Sequence, residues 1–258
     1  MTTPTTVDAV PTGAEQTLRA IPDATIARTA TTPGATVALL KVPPVPAPED
    51  LAVLTDDERA RAGRFAFVRD QSAFVTTRAA LRRALGDALS CAPGTVRIVS
   101  ATSGRPALDR SHGSRLDFNV SHSGALAALA LSHTGRVGVD IETHDIRRGL
   151  RDLVPTVMGV RERVMLTALT DEALFCEAFY GCWTRKEAIV KGIGTGISAD
   201  LTAIDVPAVP SDGMVVVPGE THSHWRIVTV SVRAGVTMSV ALAECAGSIR
   251  IAPLPESA

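Results

Sequence analysis

The chain has 258 residues, and its 26 Lys and Arg against 27 Asp and Glu give a formal charge of -1. A chain of that length buries a sizeable core without disulfides or a structural metal, and its balanced charge offers no field for nucleic acid or an anionic membrane. The four cysteines (Cys91, Cys176, Cys182, Cys245) form no C-x-x-C pair, and neither a leader pattern nor an apolar run of membrane-spanning length occurs, so a cytoplasmic protein with reduced thiols is expected.

Residues 1–34 are rich in Thr, Ala and Pro without apolar period, which predicts a mobile tail. Beyond it the expected division is an N-terminal subdomain over 35–142 and a C-terminal one over 143–258. ATVALLKV at 35–42 predicts a strand, and PPVPAPED at 43–50 a rigid linker. Thr55 followed by Glu58 predicts a capped helix start, and helices run on to about residue 89, with Phe65, Leu81 and Leu85 turned to the core. A β-branched run at 95–99 predicts a strand, 102–106 a turn, and 118–121 another strand. Ala and Leu at 125–131 favour helix by propensity, yet Gly124 and Gly135 bracket a segment too short for one, so a hairpin strand is expected. Residues 150–193 are helical in pattern. VSVRAGVTMSVALA at 230–243 then echoes VSHSGALAALA at 120–130, a faint internal repeat. The class is α+β.

Three stretches hold side chains suited to chemistry. In RVGVDIE (136–142) Val137, Val139 and Ile141 share one strand face while Asp140 and Glu142 share the other. Carboxylates about 6.5 Å apart raise each other's pKa when buried and suit a hard cation such as Mg²⁺; on a solvated strand they do nothing. In FYGCWTRKEAIVKG (179–192) a helical apolar stripe contains Lys186, with Glu187 and Lys191 flanking it. Only three of the 26 basic residues are lysines, and Lys186 and Lys191 are two of them; Lys is a point charge where Arg is a fork. An i,i+4 Glu–Lys pair alone is also a common surface feature, and snorkelling accommodates a lysine in a stripe. In FNVSHSG (118–124) a strand runs into a Ser/Gly turn at His122, a possible cradle for phosphate oxygens.

Taken in order, GRP (104–106), FNVSHSG (118–124), VGVDIE (137–142) and WTRKEAIVKGIGTGI (183–197) resemble the 4'-phosphopantetheinyl transferase superfamily, in its Sfp-type, monomeric branch. The resemblance implies two similar α/β subdomains packed as a pseudo-dimer, with coenzyme A and Mg²⁺ in the cleft between them. It implies Asp140, Glu142 and Glu187 as metal ligands, and Arg59, Arg61, Arg105, Ser121, His122, Lys186 and Lys191 as coenzyme A contacts. Glu187, Lys186 and Lys191 would be catalytic, Glu187 as the base and the lysines on phosphate charge. Glu162 corresponds to a less regular acidic position. The implied partner is an acyl or peptidyl carrier protein, which Arg147, Arg148 and Arg151 are placed to meet. A non-catalytic coenzyme A or carrier-binding module, or a magnesium phosphohydrolase, are the competing readings.

Overall fold

The computed structural model describes residues 34–101, 104–147, 149–196, 199–207, 213–243 and 247–252. The predicted tail up to residue 33, Thr102, Ser103, Arg148 and Cys245 lie outside the described residues.

Strand β1 (Ala35–Lys41) leads through two short helices, α1 (Pro48–Ala52) and α2 (Asp56–Ala62), to the 22-residue helix α3 (Val68–Leu89). A small hairpin of β2 (Ile98–Ser100) and β3 (Pro106–Leu108) follows, then the hairpin β4 (Asp117–Ser123) and β5 (Leu126–Ser132). The second half opens on β6 (Val137–Thr143) and continues through α4 (Leu150–Val157) and α5 (Val160–Thr167) to a second 22-residue helix, α6 (Glu172–Ile193). Strands β7 (Gly213–Val216), β8 (His224–Arg233), β9 (Val236–Ala243) and β10 (Ile249–Ile251) complete it.

The faint repeat is a repeat of topology. In the first sheet, ordered β10-β1-β5-β4, and the second, ordered β6-β9-β8-β7, a strand, a long helix and a hairpin follow one another. The hairpin's second strand lies antiparallel to the opening strand in both. The two units pack as a pseudo-dimer in four layers. Val37, Leu39, Leu126 and Ala128 of one sheet meet Val139, Ile141, Met238 and Val240 of the other, while α3 and α6 cover the outer faces.

Several local expectations shift. Pro48 starts α1 within the predicted linker, since proline suits the first helical turn. The strand expected at 95–99 begins at Ile98, because Pro93-Gly94-Thr95 forms a 3-10 turn. Leu81 and Leu85 are buried, but Phe65 sits exposed in the α2–α3 turn, tilted against Phe74 at 5.4 Å. A division after 142 separates β6 from its own sheet, because β6 pairs with β9 along its length. Conversely β10, from the chain's far end, runs parallel to β1 in the first sheet.

Candidate active site

The site is built where α6 lies along β6. The helix starts on an Asp171 cap that accepts the Ala173 and Leu174 N–H groups, and ends at Gly194 with φ 90°. Its close approach needs glycine: a Cβ on Gly138 would stand 1.8 Å from the Ala188 carbonyl oxygen, and one on Gly192 2.6 Å from the Trp225 ring. Away from that tight end the elements diverge and polar groups fill the gap. On α6, Tyr180, Trp183, Thr184, Glu187 and Lys191 recur at helical spacing, facing His144, Glu142 and Asp140 of β6 and its exit.

Asp140 is only 2% exposed. Its Oδ1 accepts from Lys191 Nζ at 2.6 Å and Ser121 Oγ at 3.0 Å, while its Oδ2 is buried without a hydrogen-bond partner. Glu142 accepts from Ser123 Oγ at 2.9 Å and from the Trp183 indole. Its carboxyl is pushed above the usual range by burial and the Asp140 charge, against the pull of Ser123 and Lys191. Glu187 is raised in the same way, by burial, then Asp140, with Lys191 opposing and Glu142 adding to the rise. The three acids therefore share one electrostatic neighbourhood with a single ammonium among them. Hard oxygen donors, an orphaned buried carboxylate oxygen and excess negative charge fit a divalent cation of the Mg²⁺ type. Among the described residues no group of three or more His, Cys, Asp or Glu side chains is already set to hold a metal ion.

Beside this pocket, between α2, α3, the small hairpin and β4, lies a cavity of about 1050 Å³ lined by Arg61, Arg64, Arg78, Arg82 and Arg97. Val120 and His122, on one face of β4, form its floor nearest the acids. His122 is held below the ordinary imidazole range by burial and by the Lys191 charge. Arg61 lies over the Phe74 ring at 5.0 Å. Arg78 packs on the same ring at 5.7 Å and reaches Glu58 at 3.4 Å. An arginine-lined cavity opening beside a cluster of acids is suited to a polyphosphate whose far end needs a cation.

Two family models together span most of the described chain: "4'-phosphopantetheinyl transferase, N-terminal" matches residues 48–134 and the "4'-phosphopantetheinyl transferase superfamily" model residues 136–243. The 4'-phosphopantetheinyl transferase HetI of Nostoc sp. is 38% identical over 166 residues, covering 64% of this chain and 69% of that protein. The chain belongs to the 4'-phosphopantetheinyl transferase superfamily. A putative 4'-phosphopantetheinyl transferase of Synechocystis sp. is 33% identical over 182 residues, covering 68% of this chain and 71% of its own length. The human L-aminoadipate-semialdehyde dehydrogenase-phosphopantetheinyl transferase is 26% identical over 212 residues, covering 74% and 68%. The two family models meet at residues 134 and 136, in the turn between β5 and β6.

Against that family pattern, the structure brings Asp140, Glu142, Glu187, Lys191, Ser121, His122 and Arg61 to the two adjoining pockets and keeps three other residues out. Lys186 is fully buried on the opposite side of α6: its Nζ pairs with Glu162 at 2.6 Å and donates to the Leu201 and Ile204 carbonyls, both at 2.8 Å. With 140° between residues five apart on a helix, Lys186 and Lys191 cannot face one site. Arg105 directs its guanidinium to Asp117, bidentate at 2.8 Å, and to the Phe118, Val137 and Lys191 carbonyls; it ties β4, β6 and α6 together. The Ser121 hydroxyl is buried among Asp140, Lys191 and the Ile141 N–H. Arg59 turns away from the cavity to Asp56 and the Leu51 and Leu54 carbonyls. Of the arginines expected to meet a carrier, Arg147 is exposed beside Asp145, whereas Arg151 is stacked on Phe175 at 4.0 Å and paired with Glu172.

The Lys186 placement has a counterpart in the first half. Glu58 accepts the Thr55 N–H at the start of α2 and pairs with the buried Arg82 of α3; Glu162 accepts the Gly159 N–H at the start of α5 and pairs with Lys186 of α6. Each pair is 24 residues apart. Lys186 is thus the repeat's brace between short and long helix. Composition and motif spacing missed Trp183, Ser123 and Arg78, and the resemblance gave Glu162 no partner. The signal for the first was its place one helical turn before Glu187; for Arg78, its place one turn before Arg82 on the same helix.

Proposed function

We propose that this chain transfers the 4'-phosphopantetheine of coenzyme A to a serine of an apo acyl or peptidyl carrier protein, giving the holo carrier and 3',5'-ADP. The observation that carries the reading is the acid trio with Lys191 opening directly beside the arginine-lined cavity. Arg61, Arg64 and Arg78 would hold the nucleotide phosphates, with His122 between them and the acids. Asp140, Glu142 and Glu187 would hold a divalent cation, whose role is to neutralise charge spreading over the phosphoryl oxygens. Lys191 places an ammonium on the same oxygens. The serine oxygen bonds to the phosphorus attached to pantetheine, the bond from that phosphorus to the bridging oxygen breaks, and 3',5'-ADP departs with the electron pair. Glu187, whose carboxyl is pushed upward by burial and the Asp140 charge, takes the serine proton directly or through water. The expected enzyme is a cytoplasmic monomer; among the described residues no helix is long and apolar enough to cross a membrane.

The test is intact-mass analysis of several apo carriers incubated with the protein, coenzyme A and Mg²⁺. The reading expects one added phosphopantetheine and one 3',5'-ADP per carrier. Coenzyme A binding without transfer to any carrier would leave a binding module instead.

A further inference from the structure

β4 and β6 are neighbouring edges of different sheets, and side chains take the place of a backbone ladder between them. Along β6 the N–H groups of Val137, Val139, Ile141 and Thr143 point away from β9 and toward β4. They are received by Asp117 Oδ2 at 2.8 Å, Asn119 Oδ1 at 3.0 Å, Ser121 Oγ at 3.3 Å and Ser123 Oγ at 3.0 Å. Each donor stands 20 residues beyond its acceptor, so the strands run parallel in one fixed register.

At the two serines this arrangement does more than satisfy an edge. A hydroxyl has a single proton. Because a backbone N–H can only donate, each Oγ must accept from β6 and has its own proton free for a carboxylate. Ser121 gives it to Asp140 and Ser123 gives it to Glu142, at 3.0 and 2.9 Å. The same atom that registers the strand thus orients the acid one residue before the N–H it receives. Ser121 also meets Lys191 and is buried, so its removal would disturb several groups at once. Ser123 is half-buried, and its hydroxyl donates to Glu142 and accepts the Thr143 N–H.

We propose that Ser123 is a positioning residue: its hydroxyl fixes the Glu142 carboxylate relative to Asp140 and thereby sets the divalent-cation affinity of the site. This rests on the reading of Asp140 and Glu142 as cation-holding acids. A Glu142 carboxylate without that hydrogen bond would spend part of its time turned away from the ion. Hydrogen-bond partners that orient ligands in this way commonly change metal affinity by about 10–100-fold.

The experiment titrates Mn²⁺ into the coenzyme-free full chain and follows free ion by electron paramagnetic resonance. Melting temperature and the KM for coenzyme A are measured on the same variants. Ser123→Ala is expected to weaken Mn²⁺ roughly tenfold while the coenzyme A KM stays within about twofold. Ser123→Thr, which keeps the hydroxyl, restores binding. Ser123→Cys keeps the volume but offers a weak donor, and should weaken Mn²⁺ even if the alanine variant folds poorly. Glu142→Gln is the control. If Glu142→Gln weakens Mn²⁺ and neither Ser123→Ala nor Ser123→Cys does, the positioning role is overturned. If Glu142→Gln binds Mn²⁺ like the unaltered chain, the acid assignment itself fails.

Discussion

In the C-terminal half α6 lies down on β6 so closely that Gly138 has no room for a Cβ, whereas in the N-terminal half the arginine-lined cavity reaches Val120 and His122 on the face of β4 beside α3. The connectivity is the same; what differs is the side chains at the helix–sheet contact. Gly138, Ala188 and Gly192 permit backbone contact, and the acids then stand at the point where that contact begins to open. Arg61, Arg78 and Arg82, stacked on Phe74 or braced by Glu58, hold the other half apart. One unit thus presents acids in a narrow wedge and the other presents arginines in an open cleft, a division of labour that neither could provide alone.

The sharpest way to break this comparison is through the two helix braces. Lys186→Ala leaves Glu162 buried without its cation and should cost about 3–5 kcal/mol of stability, read by denaturant unfolding. Lys186→Met with Glu162→Gln should recover much of that loss. Glu58, less deeply buried than Glu162, should cost less when Arg82 is removed. A Lys186→Met, Glu162→Gln protein that is stable yet inactive toward a carrier would break the equivalence of the two braces and return Lys186 to the chemistry.

Next in size is the acid wedge. Asp140→Asn keeps shape but weakens a ligand, so transfer should lose about 2–4 kcal/mol of transition-state stabilisation with folding unharmed. An unchanged rate at limiting Mg²⁺ would contradict the role given to the wedge.

The wedge should also appear in the pH dependence of stability. Glu142 and Glu187 have raised carboxyl pKa values in the folded state, so the folded chain binds more protons than the unfolded one between the ordinary carboxylate pKa and the raised one. Stability contributed by these groups therefore increases as pH falls through the raised pKa toward the ordinary one, and is lost as pH rises. His122 and His144, lowered mainly by burial, act oppositely: they hold fewer protons when folded, so acidification below the ordinary imidazole pKa destabilises. Comparing melting temperatures of the unaltered chain and a Glu142→Gln, Glu187→Gln variant isolates the acid share. That share should flatten when Mg²⁺ is added.

The smallest expected effect belongs to the open cleft. Arg61→Ala should raise the KM for coenzyme A by about tenfold, some 1.4 kcal/mol, more at low salt than at high, with little change in melting temperature. Arg59→Ala, facing the other way, should leave that KM alone. Equal effects of the two would mean that the cavity is not where the nucleotide sits.

How legible this was depended on the distance over which each signal acts. The Thr55–Glu58 cap, the 35–42 strand, the alternation of VGVDIE and the helical stripe through Glu187 are local, and each lies where the pattern placed it. The hairpin at 125–131 was legible only because its bracketing glycines outweighed Ala and Leu propensity. The assignments that moved depend on partners remote in sequence. Nothing near Lys186 announces Glu162, and nothing in GRP announces that Arg105 meets Asp117 and three carbonyls. The polar alternation of Asp117, Asn119, Ser121 and Ser123 was visible as a pattern, but its meaning required knowing that an unpaired strand edge lay beside it.

The pairing of β10 with β1 has a consequence for the order in which the chain can fold during synthesis. Ala35 meets Ile249 across almost the whole sequence. At about 5–20 residues per second strand β1 waits roughly 10–40 s between its own synthesis and that of β10 with its outer edge bare. That is the interval in which a nascent chain is open to pairing with a neighbour. The N-terminal half is made first but sealed last, so its final assembly belongs to the finished chain.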